Sequence, residues 1–236
     1  MQNWKLPKGK RKSGPVLVIP DIHCPFTKQE YLDFLIEVAE SVQPEIIVQI
    51  GDFIDSNSVS NYDLNPDGMS FTEEFDKVRE WIDKYSEAFP YMIQLVGNHT
   101  SRIYKKAKKY GIPKSFIRPL EDVLGFPPGW ELVKEVIINN VRYIHGEGYG
   151  GNTPGLTAAM ATNMSTVVGD KHNCGGIWYY KTLVDKQIFG ASTGALVDED
   201  SYAFDYKALY KKKDIKGCVV VYDETYAQFI PYIERK

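Results

Sequence analysis

Apolar positions in this chain fall into short continuous runs, separated by stretches that repeat every three to four residues. Val16, Leu17, Val18 and Ile19 lie together between prolines, which predicts a strand buried on both faces over 16–19. The spacing of Thr27 and Glu30 predicts a capping box. Leu32, Leu35, Ile36 and Ala39 then mark one face of a helix that Pro44 ends. Further buried strands are predicted over 46–50 and 91–96. Between them lie a loop over 56–70, rich in Ser, Asn, Asp and Gly, and a helix with Phe75, Val78, Ile82, Tyr85 and Phe89 on one face. A basic helix is predicted over 101–110, and 111–130 reads as mostly irregular.

The second half is richer in strands. Runs over 132–138 and 141–144 predict a hairpin turning at Asn139-Asn140. Thr153 and Pro154 suit the cap and first residue of a short helix reaching Asn163. More strands are expected over 166–168, 177–180, 188–191, 218–222 and 226–230. The early βαβα order and the late strands together predict one domain over 16–236, with two sheets and outer helices, after a basic tail over 1–15.

Composition adjusts this picture only slightly. With 236 residues, 43% hydrophobic and 25% charged, the chain reads as an ordinary globular protein. A net charge of −3 supplies no overall attraction to nucleic acid or anionic membrane. No apolar stretch approaches the roughly 20 residues of a membrane span. The polar start lacks the apolar region of a secretory signal. Three cysteines, Cys24, Cys174 and Cys218, do not suggest a disulfide framework, and a cytoplasmic setting is expected.

The chemistry is carried by placement. Each of five predicted strands runs directly into residues able to bind a metal: Asp21 and His23; Asp52 and Asp55; Asn98 and His99; His145; Asp170 and His172. Strand C-termini of α/β sheets form the crevice where ligands bind, so the five ends can converge on one site. All four histidines of the chain fall in these segments. Carboxylates, an amide oxygen and imidazoles suit borderline-hard divalent ions. Cys24 and Cys174 lie within two residues of a histidine, which leaves a zinc–thiolate site open, although no CxxC pair supports one and buried thiols explain them too.

These segments, in this order, resemble the calcineurin-like metallophosphoesterase superfamily, whose pattern runs DxH, GDxxD, GNH, a lone His and GHxH. The segment from Asp52 to Ser56, the step from His99 to Arg102 and the His145-Gly146-Glu147 segment also look like its phage and prophage branch. The resemblance implies a four-layer α/β/β/α sandwich with two mixed sheets flanked by helices. It implies two divalent ions, manganese foremost, with Mg²⁺, Fe²⁺, Zn²⁺ or Ni²⁺ as alternatives. Asp21, His23 and His172 would hold the first metal, Asp52 would bridge, and Asn98 and His145 would hold the second. His99 would assist the leaving group, oriented by Asp55. Paired cations clamp a phosphate ester and acidify bridging water to hydroxide, which attacks phosphorus in line.

Two positions depart from the pattern. Asp170 stands where the first His of GHxH is expected: either a carboxylate ligand that tilts preference toward manganese or magnesium, or a plain loop residue. Thr100 stands where an acid usually follows GNH. The Ser56-Asn57 pair after Asp55 differs from the Arg-Gly of protein phosphatases and argues against that branch. The lysines at 105, 106, 108, 109 and 114 and at 211–213 read either as a solvated face or as a contact for DNA or RNA. The aromatic residues are not expected to interleave with them as a stacking platform would and are expected to fill the core. The expected function is hydrolysis of a phosphate mono- or diester. A nuclease of the same superfamily and a non-catalytic metal-binding scaffold are the alternatives. Oligomeric state is not readable.

Overall fold

The structure is a computed structural model and describes residues 14–60, 64–183, 185–207 and 213–234. The N-terminal tail over 1–13, part of the predicted 56–70 loop and Lys211 and Lys212 therefore lie outside the described residues. One sheet has the order β11-β10-β1-β2-β3-β4, and the other β5-β6-β7-β9-β8. The first contains β1 (Val16–Ile19), β2 (Ile46–Gln49), β3 (Met92–Leu95), β4 (Trp130–Val133), β10 (Gly217–Val221) and β11 (Ala227–Pro231). The second contains β5 (Glu135–Ile138), β6 (Val141–Ile144), β7 (Thr166–Val168), β8 (Gly175–Lys181) and β9 (Gln187–Thr193). The helices are α1 (Gln29–Val42), α2 (Phe71–Ala88), α3 (Arg102–Lys109), α4 (Leu120–Leu124) and α5 (Pro154–Thr162).

Strand alternation builds the layers. Val16 and Val18 point toward the second sheet, where they join Ile46, Val48, Ile93, Val136, Tyr143, Val167 and Phe189 in a core between the sheets. Leu17 and Ile19 point the other way and pack with Leu32 and Leu35 of α1 and Phe75, Val78 and Ile82 of α2. Strands buried on both faces need the continuous apolar runs seen here. On the far side, α5 lies close to β9: a Cβ on Gly155 would collide with the backbone of Ala191. The two mixed sheets flanked by helices form a calcineurin-like α/β sandwich.

Parallel pairing aligns the strand ends. β1 pairs with β2, and β2 with β3, all parallel. In the second sheet β6 pairs parallel with β7. The turn between β5 and β6 is left-handed at both Asn139 (φ 50°) and Asn140 (φ 60°), as a two-residue hairpin requires.

Two local expectations are corrected and a third is filled in. No capping box starts α1: its N-cap is Lys28, without a side-chain bond, because the Thr27 hydroxyl donates instead to the Leu196 carbonyl at 2.8 Å. The capping box lies at α2, between Ser70 and Glu73. The expected strand over 132–138 is two strands: β4 pairs with β3, whereas β5 pairs with β6 in the other sheet. An apolar run carries no mark of where the chain changes layers. The stretch over 111–130 also holds α4, whose Leu120 and Leu124 are buried in the helix-side core.

Candidate metal centre

Just past the ends of β1, β2 and β7 the chain turns sharply. His23, Asp52 and Asp170 sit at φ 52°, 50° and 60°, a left-handed conformation that costs non-glycine residues about 1–2 kcal/mol. Glycines keep the space clear. A Cβ on Gly97 would collide with the Asp52 carboxylate, and one on Gly169 would collide with Oδ1 of Asp21. Asp21, His23, Asp52, Asp55 and His145 are all nearly inaccessible to solvent.

Asp21, His23 and His172 bring their ligand atoms within 4.8 Å of one another. His23 Nδ1 lies 2.7 Å from Asp55 Oδ2, and His172 Nδ1 lies 3.2 Å from Asp214 Oδ2. A carboxylate accepts, which assigns a proton to each Nδ1. Burial, reinforced by His99, pushes the His23 pKa down to about 4, so its ring is neutral at pH 7. The two Nε2 atoms face each other at 3.0 Å, and His172 Nε2 lies 3.3 Å from Asp21 Oδ2. Oδ1 of Asp21 is buried with no hydrogen-bond partner among the described residues. The His23 lone pair, the facing His172 Nε2 and the Asp21 carboxylate make a place that favours positive charge, and their donor types suit a divalent ion.

Asp21, Asp52 and His145 form a second such group. His145 Nδ1 lies 3.2 Å from the Ile50 carbonyl, which turns Nε2 toward Asp52 Oδ2 at 3.1 Å. Asp170 Oδ1 stands 3.8 Å from the same nitrogen. The Asn98 amide completes the cluster. With its oxygen inward it lies 2.9 Å from His145 Nε2; with its nitrogen inward it donates to Asp52 Oδ2 at 3.1 Å and to Asp170 Oδ1 at 3.2 Å. Burial opposes charge on His145, but Asp52, Asp21 and Asp170 outweigh it and raise its pKa to about 10. Burial likewise opposes ionisation of Asp52, yet His145 and His99 hold it well below the usual carboxylate range. This half of the site attracts cations, and a metal ion would displace the proton on His145 Nε2.

His23, Asp55 and His99 form a third group. It is already neutralised from within. Arg102 Nη1 donates to Asp55 Oδ1 at 2.9 Å, and Nη2 lies 3.0 Å from His99 Nε2. His99 Nδ1 faces Asp55 Oδ2 at 3.1 Å. A guanidinium only donates, so His99 Nε2 accepts from Arg102 and the ring proton sits on Nδ1. This group suits proton and phosphate chemistry rather than metal binding.

The model of the calcineurin-like phosphoesterase family matches residues 14–209. The chain belongs to this family. Among solved structures, it is similar to vacuolar protein sorting 29 from Cryptosporidium parvum, at 11% identity and a TM-score of 0.45, covering 88% of this chain and 83% of that one. It is also similar to a single mutant of Vps29 from Entamoeba histolytica, at 11% identity and a TM-score of 0.40, covering 93% and 99% respectively. No curated protein matches.

In this member of the calcineurin-like phosphoesterase family, every residue named from the motifs lies at the clustered strand ends. Asp170 Oδ1 lies 3.8 Å from His145 Nε2 at the second group, while its Oδ2 pairs with Lys171 Nζ at 2.7 Å. Thr100 contributes through its backbone, whose N–H donates to Asp52 Oδ1 at 3.3 Å, beside that of His99 at 2.8 Å. Cys24 and Cys174 are buried and outside any disulfide, and the metal-competent groups among the described residues contain Asp and His only. Three residues escaped sequence reasoning. Arg102 was visible as part of a motif, but its grip on Asp55 was not. Asp214, 42 residues from His172, has no local signal. Glu74 accepts from the N–H groups of Asn57 and Ser58 at 2.7 and 2.8 Å and so holds the chain just after Asp55. No helix among the described residues is long and apolar enough to cross a membrane.

Proposed function

We propose that this phosphoesterase hydrolyses a phosphate ester using two divalent cations, manganese foremost, and that it belongs with the phage-type branch that its motifs resemble. The observation that carries the reading is the pair of facing Nε2 atoms of His23 and His172, 3.0 Å apart, beside the Asp21 carboxylate, whose Oδ2 lies 3.3 Å from His172. Asp21, His23 and His172 would hold one ion, Asn98, His145 and Asp170 the other, and Asp52 lies between the groups. Bound there, the ions supply Lewis-acid polarisation of the phosphate and an acidified water.

The rest is done by the chain itself. Asp55 keeps His99 in one tautomer and orientation through Nδ1. Arg102 occupies the other ring nitrogen with a positively charged donor. An anionic phosphate competes for that donor. When Nη2 turns to the phosphate, His99 Nε2 is freed to take a proton from solvent, and the imidazolium, held at Nδ1 by Asp55, can pass that proton to the leaving oxygen. The orienting turns and buried carboxylates are set before substrate arrives, so little reorganisation is needed at reaction.

Metal-stripped protein should hydrolyse p-nitrophenyl phosphate or bis-p-nitrophenyl phosphate only after Mn²⁺, Mg²⁺, Zn²⁺ or Ni²⁺ is restored. Asp52→Asn should reduce that turnover to background. Full turnover by Asp52→Asn would remove the two-metal mechanism. Fewer than two bound ions and no hydrolysis with any metal would point to a scaffold.

A further inference from the structure

The sequence placed aromatic side chains in the core, yet two beside the lysine cluster are on the surface. Tyr110 is 69% exposed and Phe116 is 82% exposed, with Ile112 between them at 48%. Lys108, Lys109, Lys114 and Arg118 are exposed on the same stretch. From Arg102 to Arg118 the chain carries seven Lys or Arg and no Asp or Glu, within a protein of net charge −3. The segment is folded back on itself and anchored. Ile112 N–H donates to the Ala107 carbonyl at 2.9 Å, Lys114 Nζ lies 4.9 Å above the Tyr104 ring, and the Tyr104 hydroxyl accepts from Leu120 N–H at 3.1 Å.

Its position relative to the metal centre is set by α3. Arg102, the first residue of the helix, bonds Asp55 and faces His99. Lys105 pairs with Glu147, two residues after His145, at 3.3 Å. The eight residues of α3 then rise about 12 Å to Tyr110. A cationic ridge therefore leads from the strand-end crevice to an exposed aromatic tip. Cations tracking a backbone, together with open π-faces, are what single-stranded nucleic acid needs: the phosphates supply affinity and the bases stack. A duplex keeps its bases inside and cannot use the two rings in that way.

We infer that the ridge from Lys105 to Arg118 binds single-stranded nucleic acid, with phosphates along the lysines and bases on Tyr110 and Phe116, and delivers a phosphodiester to the metal centre. The binding claim stands on the ridge alone; the delivery rests on the phosphoesterase reading above. Hydrolysis at the centre would join a water oxygen to phosphorus and break one P–O bond. It would leave a hydroxyl on one fragment and a terminal phosphate on the other, with no redox partner.

The test is fluorescence anisotropy of a labelled 20-nucleotide DNA strand with the full chain in EDTA, so that binding is read without hydrolysis. Binding should weaken linearly on a logarithmic salt scale, at about −0.7 per phosphate contacted. Replacing Lys108, Lys109, Lys114 and Arg118 together by Gln should reduce that slope by about two to three. Phe116→Ala should weaken binding about tenfold and leave the slope unchanged. Both variants should keep the wild-type melting temperature and turnover of p-nitrophenyl phosphate. Equal affinity of wild type and the quadruple variant would overturn the ridge. Loss with the lysines but not with Phe116, preference for duplex, or preference for anionic lipid vesicles would overturn the single-strand assignment. Strand binding without any metal-dependent ester hydrolysis would leave the ridge standing and remove the phosphoesterase reading instead.

Discussion

His99 is the residue on which the hydrolytic reading depends most closely, because both its ring nitrogens are spoken for. Nδ1 is held by Asp55 and Nε2 by Arg102, at 3.1 and 3.0 Å, and neither partner belongs to the two groups proposed to hold the ions. Replacing His99 by Ala should therefore lower kcat about 10²–10⁴-fold while bound metal stays constant by elemental analysis. Loss of an ion from that variant would make His99 a ligand. Asp214 makes the opposite case. It sits on the far side of His172, where it holds Nδ1 at 3.2 Å. Asp214→Asn should weaken metal binding about 10–100-fold by calorimetry, since the ring loses both orientation and basicity. An unchanged affinity would make Asp214 a bystander.

At the scale of elements, turns rather than strands carry the strain. The strands are continuous apolar runs that any parallel sheet would accept, whereas the residues after them adopt left-handed conformations at His23, Asp52 and Asp170. Such conformations persist only where the surroundings over-determine them. The chain after Asp55 shows how. Ser56 is also left-handed, at φ 56°, and the next two N–H groups end on the buried carboxylate of Glu74 in α2. Glu74→Ala would leave two donors without partners, at about 1–3 kcal/mol each. Thermal unfolding should register this as a lower melting temperature, together with reduced turnover from a displaced Asp55. A variant with wild-type melting temperature and activity would show that α2 does not position this loop.

At the scale of the whole molecule, the metal centre concentrates charge in a place that folding has closed to water. Asp21, Asp52 and Asp55 meet there with little but imidazole and one guanidinium to offset them. A cation bound only by the folded chain stabilises it, by about 2.7 kcal/mol when free metal is 100 times its dissociation constant. For a domain of 236 residues that corresponds to a rise in melting temperature of about 5–10 °C over the EDTA-treated protein. The shift needs no substrate, so it tests the centre independently of catalysis. Identical melting with and without Mn²⁺, Mg²⁺ or Zn²⁺ would argue that the pocket holds no metal.

The sequence alone determined that Asp21, Asp52, Asn98, His145 and Asp170 follow strand ends, because buried strands announce themselves as apolar runs and ligand residues follow them within a few positions. It likewise determined the Asn139-Asn140 turn, whose left-handed backbone few other residue types accept so readily. The helix start at Thr27 was misread, because a hydroxyl can choose a distant carbonyl over a nearby N–H. The split between Val133 and Glu135 was not legible either, since layer changes leave apolar patterns intact. Only the tertiary structure decided that Asp170 faces the site, that Asp214 backs His172 and that Arg102 closes over Asp55 and His99. These contacts join segments tens of residues apart, and three-dimensional distance is not encoded in local spacing. The exposure of Tyr110 and Phe116 belongs with them, because whether an aromatic ring is covered depends on what the rest of the fold brings against it.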